Sequence, residues 1–339
     1  MKKTISCLLL SVALIAPSCS LDEHPLSMFS EDEAYQSSTL IYLNTVASIY
    51  SAIGTTLYGN ARAESMSSIQ ELSADSFLYP GRGGDWGDGG NWQNLFLHNF
   101  DSSVGFYKNN WNHLFSLVGL CNSAIDKLET LKDINADAQN YIYELRAFRA
   151  FTYYYLMDLF AEVPIVTSSS VSMSDVSQSH RSEGFHFVVS ELEACLPYLS
   201  SAQSQKSGEY YGRMTKGVAY MCLIKCAANA AMYTVDNTSE TAYQAFLGND
   251  MSKECKAGEE VGKVVTEAGK KVSITVDGTA RNAWETIIYC TGKLEELGYT
   301  LSGKYADNFA ISNENSVENI FTVPNDENTY GISLNEKTM

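Results

Sequence analysis

The chain has 339 residues and a formal net charge of −17 at pH 7, and 45% of its residues are hydrophobic. This length suffices for one large globular domain or two smaller ones. The strongly acidic balance argues against nucleic acids and anionic lipid surfaces as partners, because like charges repel. Neutral and cationic ligands remain possible.

Residues 1–18 have the pattern of a secretory signal peptide. Lys2 and Lys3 give a charged start, and the apolar stretch 5–15 that follows is too short to span a bilayer as a permanent helix. Removing this segment with its two lysines changes the formal charge from −17 to −19. We therefore expect an exported protein.

A lipid attachment site is predicted at Cys19. The small residue Ser18 directly precedes this cysteine, as is typical of lipoprotein cleavage sites. Residues 19–30 are polar, and we interpret them as a tether between the lipid and the folded domain. The alternative is ordinary signal cleavage beside an incidental cysteine.

Most of the remaining chain is predicted to be helical, because apolar residues recur at spacings of three and four. Successive helices are expected to form hairpins, and Ala147 and Phe151 with Pro164 beyond them resemble part of a tetratricopeptide repeat. The predicted helices are Glu31 to about Tyr50, ended by Gly54, then Ala61–Leu72, Lys108–Leu131, Asp133–Phe160, His180–Leu199, Thr215–Tyr233 and Ala280–Leu297. Within the charged segment 249–279, Val272 to Val276 followed by Asp277-Gly278 predicts a hairpin, and Asn319 to Val323 predicts a strand.

The segment from Tyr79 to Gln93 is predicted to be a long loop, since it holds six glycines and a proline. Sugar-binding surfaces need flat aromatic faces beside planar hydrogen-bonding groups, and this region supplies both. Trp86 is a stronger candidate than Trp92, because apolar residues follow Trp92. The alternative is that both tryptophans pin the loop to the helices. The candidate ligand-binding residues are Trp86, Trp92, Arg82, Asp75, Tyr79, Asn91 and Asp88.

Two groups of residues could in principle supply metal ligands. Asp85, Asp88 and Asn91 offer oxygen atoms, but their spacing of three is not the spacing of two in an EF-hand calcium loop. Cys222 and Cys226 share a helix face without a histidine nearby in sequence, which favours two small buried side chains. No metal and no cofactor are expected.

A family resemblance is carried by Glu144 to Val166, which reads ELRAFRAFTYYYLMDLFAEVPIV. This stretch strongly resembles the signature helix of SusD/RagB-type nutrient-binding lipoproteins, with Ala161 in place of the usual glycine. Further pieces follow the family's order: Leu21-Asp22-Glu23 after the cysteine, Gly212 to Gly217, Gly298 to Leu301, and Glu314 to Phe321.

The resemblance implies a mostly α fold of tetratricopeptide-like helical hairpins with a loop-rich ligand-binding surface. It would occupy 31–339 and apparently lack the family's C-terminal half, since members normally continue well past this point. The resemblance also implies an outer-membrane protein, lipid-anchored and facing the cell exterior. Its expected partners are an oligosaccharide ligand and a TonB-dependent transporter of the SusC type.

The signature helix is apolar on nearly all sides, so it should be buried. Its charged residues would then need partners inside the protein, and we expect structural ion pairs for Arg146 and Arg149 rather than ligand contacts. The tyrosines 153–155 are likewise expected to pack between helices.

No enzymatic activity is expected, because the sequence has no G-x-S-x-G, H-E-x-x-H or phosphate-loop motif. The favoured hypothesis is a surface lipoprotein that binds glycan nutrients and delivers them to the transporter. The alternative is a helical-repeat scaffold that binds only protein. A lipid-anchored hydrolase would need a pair of carboxylates flanking one cleft, which the sequence does not display.

Overall fold

The computed structural model describes residues 37–57, 66–236 and 257–323, apart from positions 75, 77, 82, 84–86, 102, 103, 134, 311, 312, 314 and 315. Within these ranges the chain is mostly helical, which confirms the predicted fold class. The predicted signal peptide, Cys19 and tether lie outside the described residues. None of the described helices is long and apolar enough to cross a membrane.

The helices agree closely with the sequence periodicity over most of the chain. In order they are α1 (Ser38–Ile41), continued by a π-helical turn (Tyr42–Val46) into α2 (Ala47–Leu57), then α3 (Met66–Ser73), α4 (Asn91–Phe96), α5 (Gly105–Glu129), α6 (Asp137–Phe160), α7 (Arg181–Cys195), α8 (Lys216–Ala228), α9 (Ala230–Tyr233), α10 (Ala257–Lys271) and α11 (Ala283–Glu296).

Two short antiparallel hairpins accompany the helices. The first pairs β1 (Val163–Pro164) with β2 (Gln178–Ser179), and the second pairs β3 (Ser273–Val276) with β4 (Thr279–Asn282). The second hairpin was predicted from Asp277-Gly278. Both turn residues have positive φ, 50° and 71°, as the two-residue turn of such a hairpin requires.

Helix α6 lies at the centre of the fold. It packs along α5 on one side and α7 on the other, while α8 packs against α11. Leu145, Phe148 and Leu156 of α6 are fully buried, as expected for a helix that is apolar on nearly all sides. We call the large set of buried side chains around α6 the main core.

A second, separate set of buried side chains lies where α3, α4 and the start of α5 meet. We call it the small cluster, and its members are Ile69, Leu72, Tyr79, Trp92, Leu95 and Phe106. Helix α5 belongs to both sets, because Phe106 lies in the small cluster and Leu114 in the main core. The small cluster therefore joins the loop region to the helical scaffold.

The structure corrects several local predictions. Helix α2 continues through Gly54 to Leu57, and α4 begins at Asn91 inside the predicted loop. Residues 319–323 form no strand, because they run as an irregular segment that packs Phe321 against Phe151. Helix α10 was not predicted, because the segment 249–279 was interpreted from its charge alone, although the helix is amphipathic.

Candidate functional site

The predicted ligand-binding loop is held together at its base by aromatic contacts. The rings of Tyr79 and Trp92 meet edge to face with centroids 5.1 Å apart, and Trp92 stacks on Phe106 at 4.7 Å. The side-chain amide of Gln93 also donates a hydrogen bond to the carbonyl oxygen of Tyr79 at 3.3 Å. These contacts bring the two ends of the predicted loop, Tyr79 and Trp92, together.

Burial gives Tyr79 and Trp92 a packing role. Trp92 is 2% exposed and Tyr79 is 8% exposed, so neither ring has a face open to a sugar. Among the two tryptophan roles considered from the sequence, Trp92 therefore takes the anchoring one. Both rings therefore pack in the small cluster, and stacking on a sugar would require an accessible ring face.

The other candidate residues lie between or beside these anchors. Asn91 is half-buried at the first position of α4, where Gly89 and Gly90 precede it with φ of 67° and 84°. Asp88 begins the short 3₁₀ turn Asp88–Gly90, to which both glycines belong. The remaining candidates are Asp75, Arg82 and Trp86, and all three lie outside the described residues. Asp85, which was considered as a calcium ligand, also lies outside them.

The segment after α4 returns to the start of the same loop. His98 has a φ of 54°, and its Nε2 lies 2.8 Å from the carbonyl oxygen of Ser73. The backbone N–H of Asn99 donates to the carbonyl oxygen of Asn94 at 2.8 Å. These contacts fasten residues 98–99 beside the end of α3, from which the loop departs.

Inside the main core, the carboxylate of Glu144 forms a buried ion pair. Arg213 donates to both of its oxygens, at 3.0 and 2.6 Å, and the Tyr50 hydroxyl donates at 2.7 Å. The same hydroxyl accepts from the N–H of Met214 at 2.8 Å. Burial raises the pKa of Tyr50 well above its ordinary value, and the neighbouring Glu144 charge adds to this shift. The hydroxyl therefore stays protonated as a donor.

A second carboxylate, Glu191 of α7, binds two arginines of α6. Arg146 contacts both oxygens of Glu191, at 2.5 and 3.1 Å, and Arg149 donates at 3.1 Å. Arg149 also donates to the Asn122 side chain at 2.7 Å and to the Thr167 carbonyl oxygen at 2.9 Å. The predicted structural role of both arginines is confirmed.

The polar end of α6 is satisfied in the same way. Asp158 accepts hydrogen bonds from Tyr233 and from Gln70, each at 2.6 Å. Tyr153 is 1% exposed and Tyr154 is 4% exposed, so these tyrosines pack between helices as predicted. The charges of the signature helix thus connect elements of the scaffold and do not form a ligand site.

The separate sequence motifs of the resemblance come together in space. A Cβ atom on Gly217 would lie 2.6 Å from the Tyr299 ring, so only glycine permits this contact without a shift. The N–H of Thr300 donates to the carbonyl oxygen of Val317 at 3.2 Å. The described pieces at Gly217, Tyr299 to Thr300 and Val317 therefore contact one another and help to build the scaffold.

The cysteines that the structure describes are buried free thiols. Cys222 and Cys226 are fully buried on α8, as the sequence favoured, and Cys121, Cys195 and Cys290 are buried and unpaired too. Burial raises the pKa of the Cys121 thiol to about 12. In the described part of the chain, no group of histidine, cysteine and acidic side chains has the arrangement of a metal site.

A cleft of about 790 Å³ lies between α7, α9 and α10. Its described lining residues are mostly aliphatic or charged, and they include Val235, Val264, Lys263 and Glu267 but no tyrosine, tryptophan or phenylalanine. A sugar-binding site is expected to offer aromatic faces, and the described lining of this cleft offers none.

Comparison with known families gives the scaffold an identity. Residues 28–227 match the SusD-like family, described as starch-binding and associating with the outer membrane. The chain belongs to this family. SusD-like proteins bind carbohydrate and are not catalysts, which agrees with the prediction that the chain is not an enzyme. The sequence matches none of the curated proteins with which it was compared.

Solved structures share this fold at low sequence identity. A SusD-like protein of Bacteroides fragilis has a TM-score of 0.57 at 16% identity, over 86% of this chain and 45% of its own. Surface glycan-binding protein A of Bacteroides uniformis gives 0.56 at 17%, over 84% and 52%. A laminarin-binding SusD-like protein gives 0.54 at 18%, over 85% and 51%. The chain thus spans about half the length of these proteins.

Proposed function

We propose that this protein binds an oligosaccharide through the loop between Tyr79 and Trp92 and passes it to a TonB-dependent outer-membrane transporter. Family membership supports a carbohydrate ligand, and the structural neighbours include a laminarin-binding protein and a surface glycan-binding protein. The observation that carries the proposal is the contact between Tyr79 and Trp92, because it joins the two ends of a glycine-rich segment in which the described residues Pro80, Gly81 and Gly83 are exposed.

In this proposal the residues of the loop divide into supports and contacts. Tyr79 and Trp92 hold the ends, while Trp86, near the middle of the sequence between them, supplies the ring on which a sugar stacks. Planar side chains bind pairs of hydroxyls, and glycines let the backbone approach them closely. The proposed polar contacts are Arg82, Asp75, Asn91 and Asp88.

The proposed location is the outer face of the outer membrane, held by a lipid on Cys19. A lipid anchor followed by the polar residues 19–30 would place the binding loop outside the cell without a membrane-spanning helix. Replacing Cys19 by alanine should release the exported protein from the membrane fraction, and it should also abolish co-purification with the transporter. Retention of the Cys19→Ala variant in membranes would contradict the lipid anchor.

The protein-binding scaffold remains the second candidate, because the helical hairpins α5–α6 and α6–α7 have the packing of repeat proteins. The two functions differ in what the loop does. A scaffold would bind no carbohydrate with or without Trp86, whereas a glycan-binding protein would bind carbohydrate and lose that binding with Trp86.

Affinity electrophoresis tests the proposal directly. The full chain from Ser20 onward should be retarded by one or more polysaccharides of a panel of plant, host and microbial glycans. The Trp86→Ala variant should lose that retardation. Tyr305→Ala is the matched control, because Tyr305 is 78% exposed on another segment. It should migrate like the unaltered protein in every gel.

Equal retardation of the Trp86→Ala variant and the unaltered protein would place the binding site elsewhere. The absence of retardation in a protein with a cooperative unfolding transition would remove the glycan function and leave the scaffold function.

A further inference from the structure

The cleft between α7, α9 and α10 has the size of a pocket for a small molecule. Its volume of about 790 Å³ lies within the roughly 300–1,000 Å³ that is typical of such pockets. Its described lining includes neither Tyr79 nor Trp92, which pack in the small cluster beside α3, α4 and α5. The cleft is therefore separate from the proposed sugar site, and its chemistry is considered by itself.

The floor of the cleft is aliphatic. Val264 and Ala268 lie four residues apart on α10, and Val272 follows at the same spacing directly after that helix. Val235, two residues after α9, lines the cleft as well. All four side chains are half-buried, so water still reaches part of them. An alkyl chain that covers this floor would bind favourably, because it removes apolar surface from water.

The rim of the cleft is positively charged, although the whole protein is acidic. Lys263, Glu267 and Lys271 also follow one another at a spacing of four, on the stripe of α10 beside the aliphatic one. Lys270 binds the carboxylate of Glu267, with 2.6 Å between Nζ and Oε1. Within the described part of the chain, Lys263 and Lys271 form no ion pair. Their two ammonium groups are therefore available to an anion.

The two free lysines connect the floor with the rim. Both are exposed, and a lysine can lay its apolar stem along a hydrophobic surface while its ammonium group stays in water. An anionic head group at the rim would accept charge-assisted hydrogen bonds from Lys263 and Lys271. A neutral sugar would leave these charges unused, and inorganic phosphate would leave the aliphatic floor uncovered. A ligand that satisfies both surfaces has an alkyl chain and an anionic head.

We infer that this cleft binds a free aliphatic carboxylate, with its alkyl chain along Val264, Ala268 and Val272 and its carboxylate between Lys263 and Lys271. The occupant is a molecule in solution and not an anionic bilayer, because a bilayer surface repels so acidic a protein. This inference does not rest on the proposed glycan function. It gives the protein a second class of ligand at a second site.

Calorimetry with ligands of different chain length tests the inference. The full chain from Ser20 onward is titrated with sodium hexanoate, octanoate and decanoate, below the concentrations at which micelles form. Each added CH₂ group should raise the affinity about two- to fourfold, because it covers more of the floor. The neutral probe 1-octanol should bind about three- to tenfold more weakly than octanoate, because it cannot pair with the lysines.

A double variant separates the role of the charges from that of the floor. Lys263→Met with Lys271→Met removes both ammonium groups and keeps the apolar stems. It should weaken octanoate binding by about three- to tenfold and leave 1-octanol binding unchanged. Lys206→Met is the matched control, because Lys206 is exposed and does not line the cleft. It should bind both probes like the unaltered protein.

A further variant tests the floor. Ala268→Phe places a ring where the alkyl chain would lie, so it should abolish the binding of octanoate and of 1-octanol. Thermal unfolding measures whether each variant is folded. Should Ala268→Phe prove unfolded, the double lysine variant and the chain-length series still decide the question. Retardation by polysaccharides should be the same for the double lysine variant and the unaltered protein.

Several outcomes would overturn the inference without affecting the proposed glycan function. They are the absence of octanoate and decanoate binding at millimolar concentrations, an affinity that does not increase with chain length, or unchanged octanoate binding by the double lysine variant. Co-sedimentation with phosphatidylglycerol vesicles that is lost in the double lysine variant would also overturn it, because the rim would then bind a membrane surface.

Discussion

The main core and the small cluster use different interactions to hold their parts of the chain. The main core contains buried ion pairs, such as Glu144 with Arg213, among its apolar side chains. In the small cluster, apolar side chains pack around Trp92, whose ring contacts Tyr79 and Phe106. Directional charged contacts help to fix the helix arrangement in the main core, whereas ring packing is the main contact described in the small cluster.

The difference indicates separate tasks for the two regions. Buried ion pairs require one geometry, because an unpaired charge in the interior costs several kcal/mol. Such contacts suit a scaffold whose helices must keep one arrangement. Ring packing is less directional and adapts to changes nearby, which suits the support of a surface loop. We expect the two regions to respond differently to substitution.

The largest effect is expected from breaking the ion pair in the main core. Arg213→Met leaves the carboxylate of Glu144 buried, with the Tyr50 hydroxyl as its remaining hydrogen-bond donor among the contacts described above. Such a change costs about 3–5 kcal/mol in the free energy of unfolding. Urea unfolding followed by circular dichroism measures it.

The double variant Arg213→Met with Glu144→Leu is the control for this prediction. It removes both charges, so more than half of the lost stability should return. A loss of less than about 1 kcal/mol in the free energy of unfolding of Arg213→Met would contradict this prediction, because such a loss is typical of a solvent-exposed ion pair.

A smaller global effect is expected from Trp92→Ala in the small cluster. Truncating a buried tryptophan costs about 3–5 kcal/mol where the ring packs. Because the small cluster is separate from the main core, this loss should favour local opening of residues 79–96. Hydrogen exchange should accelerate there, while the main urea transition shifts little.

Phe148→Ala is the matched substitution in the main core, where Phe148 is fully buried. For Phe148→Ala, the whole loss in the free energy of unfolding should appear as a shift of the main urea transition. Equal shifts for Trp92→Ala and Phe148→Ala would show that the main core and the small cluster unfold together as one unit.

The smallest effect is expected from acid titration of Glu191. Burial raises the pKa of Glu191, but hydrogen bonds and charges from Arg146 and Arg149 outweigh burial, so the pKa is lowered overall. A lowered pKa contributes stability above the unfolded-state value of about 4.3, and this stability is lost as the pH falls through the folded-state value.

Glu191→Gln should therefore be less stable than the unaltered protein at pH 7, and the difference should shrink below about pH 4.3. The free energy of unfolding measured at several pH values tests this expectation. Glu295→Gln, at an exposed position, serves as the control. A difference that stays constant down to pH 3 would mean that the ion pair does not depend on the charge of Glu191.

The sequence predicted the elements that depend on long, regular patterns. The periodicity of α5 to α8 and the turn Asp277-Gly278 fixed the type and place of these elements, because burial and turn geometry act locally. It also predicted that Arg146 and Arg149 would find internal partners. Their partner Glu191 lies on another helix, and no local pattern identifies such a pair.

Other features depend on tertiary contacts that the sequence does not display. Trp92 was included among the ligand contacts, but its burial depends on Phe106 and Tyr79, which lie far from it in sequence.

The buried cysteines give this protein reporters of its own motion. A thiol reagent modifies a buried cysteine only when the structure around it opens, since the reactive thiolate is both inaccessible and scarce there. Labelling rates would therefore record how often individual helices separate in the native protein, without an introduced probe. After replacement of the cysteines outside the described residues, the reporting positions would be Cys121, Cys195, Cys222, Cys226 and Cys290.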